Sequence, residues 1–437
     1  MLEWQGHSLL GLRAAQGLPA WEIELLKPDM SPAEIQKPIM PKITNVVEKL
    51  GAYCLILDWI YQKEYARYAR QDNGRWIPHG PASADFTAGG TISETANHIL
   101  ITRLLQAMID ELQAGNWEEA VRRGGALGHF LQEPFTPGHS TDNSLFEQIF
   151  PDHNPLRHWR LHCCFDAASG DYPPPKPQLV GTTAGEAAFY LFNDIKKGIR
   201  SARAMIGPVI EAAYRGEKLQ DNQHVYRSLL CRQSEMSANI TACAWHTAFC
   251  IAFNRFEREE IERLKTFDLT TAVPYYMHPS KYVHIVADKL VNENGWLIPI
   301  DVWGENKVEL RFEHGFGLYG HSGYKYFING QFSQFRFKLG MPSRILDGQN
   351  EHTHLCFSIE TDPGENGLYS EDIEYAAKAR PLELQLRAFE AVKEYTVNIR
   401  GAGTLIISSR SIPYTKDDGE VCYATADLAI IDPVLIR

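Results

Sequence analysis

Along the first part of the chain, apolar residues return every three or four positions. In ETANHILITRLLQAMIDELQAGNW, the residues Ile99, Leu100, Leu104, Leu105, Met108, Ile109 and Leu112 form a single stripe, the signature of a helix with one buried face. A second helix is expected over 184–215, after the loop DYPPPKPQLVGTTAG, whose prolines exclude a helix. A third is expected over 224–265, closing on the charged run FEREEIERLK. Past Phe267 the period shortens to two. VELRF, QFSQFRFKL, CFSIE, LELQL, YTVNI and TLIIS alternate apolar and polar residues, with Gly, Asn and Asp between them; this is the pattern of half-buried antiparallel strands in a sandwich or barrel. The expected organisation is therefore multidomain, α then β. An α-helical bundle occupies 1–265, a linker (TFDLTTAVPYYMHPSKY) occupies 266–282, and an antiparallel β-sandwich occupies 283–437.

Composition agrees with a large folded chain: 437 residues, 44% hydrophobic and 22% charged, exceed one typical domain. The formal net charge of −11 leaves no bulk attraction for phosphate polymers, so binding them would need a local device such as metal ions. Of the eight cysteines, Cys163 and Cys164 are adjacent, and no disulfide framework can be read. The opening MLEWQGHSLLGLRAAQ lacks the basic start and apolar core of a signal peptide. The apolar stretch 238–253 is interrupted by Asn239, Thr241, His246 and Thr247, so no transmembrane segment is expected. These features lead to an expectation of a soluble, cytoplasmic chain.

The chemistry concentrates between residues 129 and 162. Five histidines fall there (His129, His139, His153, His158, His162), where the average density of 16 in 437 would give between one and two. In GGALGHFLQEPFTPGHS, His129 and Glu133 are four apart, on one helix face and one turn from each other. Pro134, Pro137 and Gly138 then end the helix and release His139 into a turn. In RHWRLHCCFDAASG, His162 and Asp166 repeat the same spacing. Two imidazole–carboxylate pairs and an intervening histidine suit a multinuclear zinc site, since zinc takes nitrogen and oxygen ligands and a catalytic site keeps a position for water. His153 and His158 are expected at the surface or orienting ligands, with His153 the substitute for His162. His98, inside an amphipathic helix, is expected in the core or at its boundary.

His129-x3-Glu133-x5-His139 followed by His162-x3-Asp166 resembles the metal-binding core of the zinc-dependent phospholipase C / single-strand-specific nuclease superfamily, over roughly the helical part. The resemblance implies an α-helical domain that binds two or three zinc ions and hydrolyses phosphate esters. WQGH near the start is similar to the family's N-terminal tryptophan and histidine, which implies Trp4 and His7 as ligands. Asp58 in LILDWI and His79 in RWIPHGP are implied to complete the first metal, with Asp72 or Asp29 as alternatives to Asp58. The implied assignment is one metal on Asp58, His79, His129 and Glu133, and a second on His139, His162 and Asp166. A third lies near Trp4 and His7, with Glu133 bridging. Asp58 is also implied as the general base. Glu133 stands where the family usually has aspartate, and Met1-Leu2-Glu3 precede Trp4, which leaves the Trp4 carbonyl rather than its amine as donor.

The remaining patterns carry less. GFGLYG at 315–320 is not followed by a helix, so no nucleotide cofactor is expected. Asn239-Ile240-Thr241 sits within a helix, and Cys243 and Cys250 are read as buried thiols on one helix face. The C-terminal strands resemble carbohydrate-binding β-sandwich modules in texture; Tyr319, Tyr324 and Tyr326, where exposed, could stack on a glycan, but a structural role as ordinary strand residues is the preferred reading. The expected function is hydrolysis of a phosphate ester, with a phospholipase C-type lipid head group favoured. Nuclease action on single-stranded nucleic acid is the alternative, because the His139-to-His162 separation is nearer that branch; against it, no basic, aromatic strand-binding track is evident. A third class is a non-catalytic metal- or glycan-binding protein that keeps the fold. The family is commonly exported, so secretion is the alternative to the cytoplasm.

Overall fold

The computed structural model describes residues 3–26, 46–59, 66–69, 91–140, 168–215, 223–274, 276–278, 286–291, 296–318, 320–343, 351–362, 379–423 and 427–437. The chain divides into two compact units near Ile261 and Glu262. The first is helical. Its helices are α1 (Glu3–Gln16), α2 (Ala20–Leu26), α3 (Val46–Tyr53), α4 (Thr91–Gln113), α5 (Trp117–Gln132), α6 (Ala184–Ala204), α7 (Ile206–Tyr214), α8 (Gln223–Leu229), α9 (Cys231–Ala252) and α10 (Arg258–Arg263). The expected apolar stripe is the inward face of α4: Leu100, Leu104, Leu105, Met108, Ile109 and Leu112 are all buried in the core, and Ile99 is half-buried.

Two of the expected helices are broken where local chemistry stops them. The segment 184–215 bends at Met205 into α6 and α7. The segment expected over 224–265 is α8, α9 and α10, parted at Leu230 and again after Ala252. At the second break Asn254 takes a left-handed backbone (φ 49°). Arg255 N–H reaches back to Cys250 O at 2.9 Å and Asn254 N–H to Ile251 O at 3.3 Å, which is a Schellman-type stop built on one of the few residues that tolerate that conformation.

Close helix packing rests on glycine. A Cβ at Gly51 would collide with the backbone of Leu12 in α1, and one at Gly125 with the backbone of Tyr53 in α3. These two contacts bring α1, the end of α3 and α5 within reach of one another, and all three carry site residues.

The second unit is built from antiparallel strands in two five-stranded sheets among the described residues. One sheet runs Thr266–Asp268, Leu428–Ile436, Gln334–Gly340, Lys393–Asn398, with Gly315–Leu318 also on Leu428–Ile436. The other runs Ala379–Arg387, His354–Thr361, Thr404–Ser411, His321–Phe327, Tyr276–His278. Rings fill the space between them: Phe316 meets Tyr324 at 5.9 Å and Phe337 meets Phe357 at 5.7 Å between centroids. Each stretch of alternating residues read from the sequence is a strand, and helices-then-sandwich is the architecture.

One expectation is corrected here. The segment 266–282, expected as a linker, already contains sheet: Phe267 pairs with Leu435, and Met277 with Tyr324. Phe267 is apolar between polar neighbours and is buried, so the alternating pattern begins before the first residue assigned to the sandwich. Tyr324 and Tyr326 are 1% and 2% exposed; the strand His321–Phe327 turns both rings into the core, which agrees with the preferred structural reading and removes them as sugar-stacking residues. Tyr319 lies outside the described residues. Among the described residues no helix is long and apolar enough to cross a membrane.

Candidate metal centre

Helix α5 delivers the first two donors. His129 and Glu133 sit one turn apart, 0% and 2% exposed, and His129 Nε2 is 3.2 Å from Glu133 Oε1. Pro134 cannot continue the α-helix, so the chain tightens into a 3-10 turn over Glu133–Phe135 and a second over Pro137–His139. That path returns His139 to the same carboxylate, with Nε2 3.1 Å from Glu133 Oε2. Its side chain is one-third exposed, which makes it the solvent-facing member of the group.

Helix α1 supplies the third imidazole. His7 stacks on His129 with ring centroids 4.0 Å apart, and its Nε2 lies 3.5 Å from Glu133 Oε1. One carboxylate therefore has imidazole nitrogens at both oxygens. Among the described residues, donor atoms of His7, His129 and Glu133 all lie within 4.8 Å of one another.

The proton on each buried imidazole is fixed by its other nitrogen. His129 Nδ1–H donates to Cys54 O at 2.7 Å. For His7 the argument runs through a relay. Thr241 donates its hydroxyl to Ser237 O at 2.8 Å, so it receives Gln132 Nε2–H at 3.4 Å rather than giving to it. The Gln132 amide oxygen then faces His7, and His7 Nδ1–H donates to it at 2.9 Å. Both rings thus keep a proton on Nδ1 and turn Nε2 toward Glu133, the orientation that metal-binding histidines acquire from such partners.

Electrostatics follow the geometry. Burial works against a charged His7, but the hydrogen bond and charge of Glu133, with Asp58 beyond, outweigh it and carry its pKa up to about 9. His129 moves the other way: burial and the neighbouring His7 hold it below the ordinary imidazole range despite Asp58 and Glu133. Two imidazole nitrogens and a carboxylate in a buried, preoriented set fit a divalent cation of the zinc class.

Asp58 is carried by the 3-10 turn Ile56–Trp59. Its Oδ2 lies 3.9 Å from His129 Nδ1, and its charge acts on both His7 and His129, so it stands beside the donor set. Trp4 lies in α1, its side chain outside what the structure describes. His79, His162, Asp166, His153 and His158, and the alternatives Asp29 and Asp72, lie outside the described residues.

The sequence matches no protein-family model and no curated protein. Among solved structures the chain is similar to the alpha toxin of Clostridium absonum, at 9% identity and a TM-score of 0.31 over 93% of this chain and 84% of that one. It is also similar to an alpha-toxin of Clostridium perfringens from an avian strain, at 11% identity and a TM-score of 0.28 over 98% of both chains. A CBM51 module from Clostridium perfringens GH95, solved with methyl-galactose, aligns with 39% of this chain and 99% of its own at 17% identity and a TM-score of 0.28. At TM-scores this low, the likeness carries no inference about activity.

Gln132, Cys54 and Thr241 were not legible as site residues. Gln132 is 125 positions from His7 and 109 from Thr241, and nothing in a glutamine's sequence neighbourhood marks it as the acceptor for a distant imidazole. His98 is buried, as expected, with Nε2–H donating to Gly185 O at 3.2 Å. Cys243 and Cys250 are both buried in α9.

Proposed function

We propose that this protein is a zinc-dependent phosphoric ester hydrolase of the phospholipase C type, with its centre on His7, His129, Glu133 and His139. The observation that carries the reading is the Glu133 carboxylate, with His7 and His129 Nε2 at 3.5 and 3.2 Å from one oxygen and His139 Nε2 at 3.1 Å from the other. A divalent ion held there supplies positive charge for phosphoryl oxygens and acidifies a water, which a chain of net charge −11 otherwise lacks.

The chain's own residues do the rest. Cys54 O and Gln132 Oε1 hold a proton on Nδ1 of His129 and of His7 and turn both Nε2 atoms inward, where a metal would take them. Asp58, partly exposed beside His129, is assigned the role of proton acceptor for the attacking water. His139 stands on the solvent side, where a phosphate ester enters. His79, His162, Asp166 and the Trp4 carbonyl are the remaining ligands that the sequence resemblance supplies for a total of two or three ions.

The test compares release of phosphorylated head group from phosphatidylcholine with digestion of single-stranded DNA, each with and without chelator. Chelator-sensitive head-group release supports the reading. Digestion of DNA alone would transfer it to the nuclease branch, and activity indifferent to chelator would remove the metal role altogether.

A further inference from the structure

A second cluster of donors lies in the helical unit, on elements the first centre does not use. His246 and Cys250 are one turn apart in α9. Glu22 comes from α2 and Glu260 from α10. Glu22 is 0% exposed, Cys250 2% and His246 8%. Donor atoms of Glu22, His246 and Cys250 all lie within 4.8 Å of one another.

All three donors meet at one imidazole ring. His246 Nδ1 is 2.5 Å from Glu22 Oε1, a pair joined by a proton. Cys250 Sγ lies against the edge of the same ring, 3.8 Å from Nδ1 and 3.6 Å from Nε2. Tetrahedral zinc bonds of about 2.0–2.3 Å set nitrogen and oxygen donors roughly 3.3 Å apart and nitrogen and sulfur roughly 3.6 Å apart, so the sulfur already stands at ligand spacing and the Glu22–His246 pair opens by under 1 Å when a cation replaces its proton. Glu260 Oε2 is 3.7 Å from His246 Nε2, while its other oxygen accepts Leu179 N–H at 2.7 Å. This is the carboxylate that orients a metal-bound imidazole from behind.

Glu22 Oε2 independently points to a ligand. It is buried and has no hydrogen-bond partner among the described residues. A wholly buried carboxylate oxygen left this way is costly, and a cation on it removes the cost. Burial also pushes Glu22 and the Cys250 thiol up from their ordinary values, while burial opposes and Cys250 and Glu22 together carry His246 up to about 10.

We propose that Glu22, His246 Nδ1 and Cys250 Sγ form a second binding site for a zinc-class divalent cation, with Glu260 holding the Nε2 edge of the imidazole. Binding displaces the proton between His246 Nδ1 and Glu22 and the thiol proton of Cys250. Both protons pass to solvent, and the thiolate is the ligand. The ion ties α2, α9 and α10 together. Because its ligand set contains sulfur and that of the first centre does not, this site stands or falls apart from the proposed hydrolase.

Cobalt(II) added to the full chain is the test. The expected result is a near-ultraviolet sulfur-to-cobalt charge-transfer band that Cys250→Ser abolishes and Glu133→Ala leaves in place. Absence of the band in the wild-type chain overturns the proposal, and so does its persistence in Cys250→Ser. X-ray absorption on the zinc-loaded wild-type chain needs no variant to fold: a sulfur scatterer at about 2.3 Å is expected, and a shell of nitrogen and oxygen alone would overturn the assignment.

Discussion

The helix Trp117–Gln132 and the strand Gln334–Gly340 both run through the middle of a core, yet they bury different chemistry. The helix ends with His129 at 0% exposure and passes directly into Glu133 at 2%. The strand buries Phe335, Phe337 and Leu339, and stacks Phe337 against Phe335 at 4.6 Å and Tyr395 at 5.7 Å. Asp301, a carboxylate the sheet unit buries, has both oxygens taken by the Arg311 guanidinium at 2.7 and 2.9 Å, the bidentate pairing of a structural charge. Glu133 instead faces three imidazoles. Burying ionisable groups gives up apolar packing and costs free energy unless something compensates. A core that accepts this cost at Glu133, and arranges a carbonyl and an amide to aim the imidazoles, is organised around a ligand. The sheet core is organised around its own packing.

That contrast can be broken by substitution. The largest effect belongs to Glu133→Ala, which removes the group shared by His7, His129 and His139; phosphate-ester hydrolysis is expected to fall to the chelated background. Phe337→Ala in the sheet core is expected to cost about 3–5 kcal/mol in denaturant unfolding and to leave bound metal per chain unchanged. A sheet variant that loses metal while still folded would erase the distinction between the units.

Smaller changes sharpen it. Burial lowers the His98 pKa from 6.5 to about 4, against the pull of the Gly185 carbonyl. The folded chain therefore refuses a proton that the unfolded chain accepts. Between pH 6.5 and about 4 the unfolded state binds more protons, and stability falls with falling pH by roughly 3 kcal/mol. Unfolding measured across that window is expected to lose this slope in His98→Leu. Gln132→Leu takes the acceptor from His7 Nδ1 and should weaken metal binding about 10–100-fold, with little change in the fold; calorimetric titration with zinc reads it. Lys416→Ala, which breaks an exposed pair with Glu420 in the sheet unit, is expected to leave the thermal midpoint where it is.

The sequence exposed those features that repeat along the chain. The α4 stripe and the two-residue alternation of QFSQFRFKL are periodic, and periodicity survives without knowledge of neighbours. His129 and Glu133 were legible because an i, i+4 pair on a helix needs no tertiary information, and His139 because proline and glycine between them fix where the helix ends. Tyr324 and Tyr326 could be read as strand residues but not settled as buried, because alternation assigns two faces without saying which is covered, and the covering sheet comes from strands distant in sequence. The helix break at Asn254 depends on one residue in a left-handed conformation, which a hydrophobic pattern does not register. The His7–Gln132–Thr241 relay and the approach of Glu22 to His246 join positions more than a hundred residues apart. The approach of His7 to Gln132 follows from how glycines let α1, α3 and α5 close on one another, and none of these distant contacts is encoded by local spacing.

The central claim is that His7, His129 and Glu133 hold a divalent ion, and metal analysis tests it most directly. The wild-type chain and His129→Ala would be equilibrated with zinc, freed of excess metal, and the zinc per chain compared. The wild-type chain is expected to retain zinc that His129→Ala does not, while the cobalt–sulfur band of the second cluster persists in both. Equal zinc in the two proteins would contradict the claim.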